Sequence, residues 1–115
     1  MKIAIIIRKE TADRCTGKGC MRAFFKKEDS FKRYEGMEDV ELVAFMHSGG
    51  DLEYKINKLK ELGVDVIHVS TCMRGKYENY EGLVHELAKD FDVIGYTHGS
   101  ENGKSRDTVS IIREK

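Results

Sequence analysis

Residues 2–7 read Lys2-Ile3-Ala4-Ile5-Ile6-Ile7, a β-branched run with no polar alternation, closed by Arg8. A strand with one wet face alternates apolar and polar residues; a continuous apolar run is the pattern of a strand covered on both faces. The same theme returns at Val40–Met46, Val64–Val69 and Phe91–Tyr96. Between the second and third runs, Leu52, Ile56, Leu59 and Leu62 recur at helical spacing, with Asp51 placed to cap the start and Gly63 to close the end. Tyr80, Leu83, Val84, Leu87 and Ala88 mark a helix before the fourth run, and Met21, Phe24 and Phe25 mark one after the first.

Strand, helix and strand repeated three times predict an α/β three-layer sandwich around a mostly parallel sheet, flavodoxin-like, in the order 2-1-3-4. Between Tyr96 and Val109 the chain has no helical pattern and carries an Asn102-Gly103 turn signal, so 108–113 is expected to return as an antiparallel edge strand. Phe24, Phe25, Phe45, Ile56, Leu59, Ile67, Leu83, Leu87 and Ile94 are the expected core.

At 115 residues, without proline, internal repeat or low-complexity tract, the chain is expected to form one domain spanning 1–115. Lysine plus arginine balance aspartate plus glutamate at 20 each, which gives no net field toward nucleic acid or an anionic membrane. The first apolar run is too short for a signal segment or a membrane span. The three cysteines are an odd number at spacings unlike a secreted framework, so the expected setting is cytoplasmic and reducing. The expected partner is a small ion or small molecule, with no nucleic acid and no membrane.

In an open parallel sheet, ligands bind where the carboxyl ends of the strands converge. The segments after the four strands hold Cys15 and Cys20; His47-Ser48-Gly49-Gly50-Asp51; Ser70-Thr71-Cys72-Met73-Arg74; and Thr97-His98-Gly99-Ser100. All the cysteines thus fall at one edge. His68, inside a strand, and His85, inside a helix, are read as structural or surface histidines.

These residues resemble the CGGC-domain family, a small prokaryotic α/β domain named for a central Cys-Gly-Gly-Cys. The resemblance covers 2–98 and rests on Cys15-x4-Cys20, on Val40–Phe45 before a Gly-Gly turn, on Gly63–Cys72 and on Tyr96-Thr97-His98. It implies a zinc or iron ion held by cysteines and histidine, here Cys15, Cys20, Cys72 and His98. The chain departs from the family at its naming motif, where it reads Ser48-Gly49-Gly50-Asp51, and it lacks the family's Cys-Pro-His in Gly75–Tyr80. Three thiolates and an imidazole suit tetrahedral zinc, with His47 or Asp51 as a substitute or supporting ligand.

Two other readings stand beside the metal. Cys20, at the start of a helix beside Gly19 and Arg22, is placed for a thiolate that Cys15 would resolve as a disulfide. A phosphatase-type Cys-x5-Arg loop does not fit, because Met21 occupies the arginine position and Arg22 follows one residue late. Gly49, Gly50, Ser70 and Thr71 offer backbone amides to a phosphate or other small anion. Gly103-Lys104-Ser105 is not a Walker loop, since position 98 is histidine and no helix is expected to follow.

Overall fold

The computed structural model describes residues 1–104 and 106–113. Ser105, in the Gly-Lys-Ser triplet, lies outside them. The elements are β1 (Lys2–Ile7), α1 (Lys9–Ala12), α2 (Lys18–Lys26), a 3-10 helix (Asp29–Tyr34), β2 (Glu41–His47), α3 (Leu52–Leu62), β3 (Val66–Val69), α4 (Thr71–Lys76), α5 (Tyr80–Leu87) and β4 (Asp92–Ile94). The four strands form one parallel sheet in the order β2-β1-β3-β4.

Along β1 the side chains alternate between two cores. Ile3, Ile5 and Ile7 pack with Cys20, Ala23, Phe24, Phe31 and Tyr34 from α2 and the 3-10 helix. Ala4 and Ile6 pack on the other face with Leu59, Met73, Tyr80, Leu83 and Leu87 from α3, α4 and α5. Residues 3–7 are buried throughout, which is why the run carries no polar residue. A register shift between Ile3 and Ala4 leaves Val43 of β2 as an extra residue, a bulge on the edge strand.

Helix α3 has the ends its sequence announces. Asp51 Oδ1 accepts from Tyr54 N at 3.0 Å, and Gly63 ends the helix at φ 78°, where a side chain would be strained. Other expectations are corrected. Phe25 is 71% exposed, because α2 turns only one stripe to the sheet and Phe24 fills it. Phe45 and Ile56 are half-buried, since β2 is an edge strand. The helix expected around Tyr80–Ala88 is α5, and a further short helix that the sequence reading did not place, α4, precedes it and ends where Tyr77 leaves helical geometry.

The returning segment makes one antiparallel bridge, Val93 with Ile111, with both hydrogen bonds at 2.8 Å. It forms no longer ladder because hydroxyls take the neighbouring backbone groups. Tyr80 Oη donates to Gly95 O and accepts from Val109 N, and Gly95 N donates to Ser110 Oγ. Among the described residues no helix is long and apolar enough to cross a membrane.

Candidate functional site

Each strand of the sheet delivers its following segment to the same edge. Where β1 ends, Arg8 N donates to Cys72 Sγ at 3.5 Å. The chain then turns through α1, and Cys15 follows with its sulfur accepting from Gly17 N at 3.3 Å. Gly17, at φ 79°, is the left-handed residue that starts α2. Cys20 lies in the first turn of α2, points into the core, and meets Thr97 Oγ1 at 3.2 Å. Where β3 ends, Ser70 caps α4, its Oγ accepting from Met73 N at 3.4 Å and contacting Cys72 Sγ at 2.7 Å. Thr71 ties this loop to the one after β4: its hydroxyl donates to His98 O at 2.7 Å and accepts from His98 N at 3.3 Å.

The result is a cavity of about 300 Å³ at the carboxyl edge of β1, β3 and β4. Cys15, Cys20, Cys72 and His98 all line it, together with Ser70 and Thr71. His98 is held against Gly19, where an added Cβ would meet the imidazole ring at 3.1 Å. The three thiols are free. Among the described residues no three His, Cys, Asp or Glu side chains stand close enough to hold one metal ion. The donors are of the right chemistry for zinc or iron, but in this arrangement they ring a space rather than converge on a point.

The thiols differ in setting. Cys20 is 7% exposed, and burial raises its pKa above the ordinary thiol value; the Thr97 hydroxyl opposes this, while Cys72 and Cys15 add to it. Although Cys20 sits in the first turn of α2, where a thiolate would be favoured, its burial acts in the opposite direction and favours the protonated thiol. Cys15 is exposed at the mouth. Cys72 stands between them in exposure and receives the Arg8 amide. Ser70 Oγ accepts from Met73 N, which leaves it one hydrogen to give to Cys72 Sγ and one lone pair to receive the thiol hydrogen. Cys72 Sγ thus accepts from the Arg8 amide and shares a hydrogen bond with the Ser70 hydroxyl, in which either group can donate.

Gly49 and Gly50 do not join this cavity. The Gly49 amide is taken by His47 Nδ1 at 3.0 Å, the side chain of Lys9 covers its α-carbon, and Lys55 Nζ closes the turn by donating to the carbonyls of His47 and Gly49. His47 and Asp51 are therefore committed within the β2–α3 turn, apart from the thiols. His68 and His85 match their expected roles, His68 buried in β3 and His85 exposed on α5. Sequence reasoning missed Arg8 N, Thr11, Gly75 and Lys76 around the cavity. The Ser70-x-Cys72 spacing at a helix start was the available signal for the pairing of hydroxyl and sulfur.

The family model described as CGGC domain matches residues 2–98. An uncharacterised protein of Methanocaldococcus jannaschii is 30% identical over 107 residues, covering 81% of each chain. No solved structure matches.

Proposed function

The chain belongs to the CGGC-domain family, and from that premise we propose that it acts through thiol chemistry in this cavity, with Cys72 as the working sulfur. The observation that carries the reading is the pair of hydrogen bonds at Cys72 Sγ, from the Arg8 amide and with the Ser70 hydroxyl, beside two further cysteines lining the same space. Cys72 attacks one sulfur of a small disulfide, forming a mixed disulfide and releasing the other half as a thiolate. Cys15, exposed at the mouth, then attacks the Cys72 sulfur, so that the second half leaves as a thiolate and a Cys15–Cys72 disulfide remains. The small disulfide gains the two electrons that the protein loses. Cys20, kept protonated by burial, supports the cavity wall.

A second reading has its own support. Cys15, Cys20, Cys72 and His98 line one cavity and are the soft donors that zinc or iron takes. Loading would require the Cys15 turn to close inward, since no three of these donors stand within reach of one ion.

Reaction with the anionic disulfide dithiobis(nitrobenzoate), followed by release of coloured thiolate, tests the first reading. Wild type should show a fast phase that Cys72→Ser removes and Cys20→Ser retains. A fast phase surviving in Cys72→Ser would refute the assignment. Metal analysis of protein prepared without chelator tests the second: stoichiometric zinc or iron lost in Cys72→Ser supports it, and an empty reduced protein after reconstitution rejects it.

A further inference from the structure

A second cleft, of about 460 Å³, opens beside the thiol cavity and shares Thr71, Gly75 and Lys76 with it. Its floor is Arg74, a guanidinium on α4 that is 5% exposed. Arg74 Nη1 donates to Glu101 O at 2.8 Å and to Thr108 Oγ1, and the group lies 5.9 Å from the Tyr96 ring centroid. All these partners are neutral. Lys76, Lys104 and Arg106 complete a ring of four cations around the cleft. Arg106 Nη1 donates to Tyr77 O at 2.7 Å and its guanidinium stands over Tyr80. Among the described residues none of the four forms an ion pair with a carboxylate, and the nearby Glu78, Glu101 and Asp107 are all exposed.

A buried guanidinium is normally matched by a carboxylate, because its charge stays on at every working pH and desolvating it without a counter-charge is unfavourable. Here the fold buries Arg74 among neutral acceptors and adds three more cations around the same opening. Its nitrogens other than Nη1 make no hydrogen bond among the described residues, and the side chain lines the cleft. A planar fork of donors facing an open space is the arrangement that receives an oxyanion in two-point contact. The chain is neutral overall, so this local excess is not a reflection of composition.

We propose that this cleft binds the phosphate or carboxylate group of a small disulfide whose sulfur end enters the thiol cavity through the shared wall at Thr71, Gly75 and Lys76. The anion site stands on Arg74 and its neighbours alone; the identity of the far end rests on the thiol reading above.

Two measurements on the full chain test it. In the first, inorganic phosphate and, separately, acetate are titrated at constant ionic strength, with chloride as the control, while backbone amide signals are followed. Saturable shifts at Gly75, Ser100 and Gly103, weakened about tenfold in Lys76→Glu/Lys104→Glu, are expected from the loss of two attractive charges. The phosphate and acetate arms distinguish a phosphoryl from a carboxyl group. Shifts no larger than those with chloride, or equal in the variant, would overturn the anion site. In the second, exchange rates are compared for dithiobis(nitrobenzoate) and cationic cystamine. The anionic-to-cationic rate ratio should fall about tenfold in the same variant. An unchanged ratio with both reagents reacting overturns the substrate class. Inertness toward both, with phosphate bound, removes the thiol reading and the disulfide end of the ligand while leaving the anion site.

Discussion

His68 shows how a single residue can be legible in kind and illegible in detail. Its place inside a β-branched strand marks it as structural, and it is fully buried. What the sequence does not display is its surroundings, because all its partners are distant along the chain. Ser30 Oγ donates to Thr97 O at 2.9 Å and so accepts from His68 Nδ1 at 3.0 Å; Nε2 then accepts from Tyr34 Oη at 2.8 Å. Phe31 stacks on the ring with centroids 4.2 Å apart. Burial pushes the imidazole pKa down from 6.5 to about 3, the Tyr96 carbonyl opposing, and burial likewise raises Tyr34 to about 12, so both stay neutral. The unfolded chain therefore binds a proton below pH 6.5 that the folded chain refuses until about 3. Stability is full above pH 6.5 and drops as pH falls, by on the order of a kcal/mol per pH unit. Urea midpoints between pH 7 and 5, where carboxylates are largely ionised, should decline accordingly. A flat profile there would mean that His68 is protonated or accessible in the folded state.

At the scale of elements, legibility follows how local the determining interactions are. Helix α3 is readable to its ends because its cap, apolar stripe and closing glycine are adjacent in sequence. Helix α4 escapes because its six residues are too few to show a period and are fixed by the Ser70 cap and by packing. The C-terminal segment was readable as a return, but its pairing depends on Tyr80, fifteen residues from Gly95. Gly95 makes a direct test. A Cβ there would stand 2.1 Å from Val109 O and 2.3 Å from Tyr80 Oη. Gly95→Ala should cost about 1–3 kcal/mol, in the range of overpacked sites, and should speed hydrogen exchange at the Ile111 amide by separating the segment from β4. Wild-type stability with unchanged Ile111 protection would contradict the close packing described.

Across the whole molecule, the sheet order and the gathering of cysteines at one edge follow from the order of strands and loops, so both were visible before any side chain was placed. Which sulfur does the work was not visible, because Cys20 and Cys72 each begin a helix. Only the three-dimensional setting separates them, burying Cys20 against Thr97 and turning Cys72 to the Arg8 amide and the Ser70 hydroxyl. Gly49 and Gly50, expected to share an anion cradle with Ser70 and Thr71, stand apart from them: the Gly49 amide is taken by His47 and Lys55 closes the turn, while the cations that form no carboxylate pair among the described residues gather around Arg74. The central claim is that the cavity thiols act together with Cys72 at the centre. Its most direct test is a peptide map of the disulfide formed when the reduced protein is treated, at high dilution, with a small excess of a disulfide reagent. A Cys15–Cys72 link within one chain, with Cys20 still free, is the predicted product. A Cys15–Cys20 link, or a stable adduct with Cys72 untouched, would contradict the account.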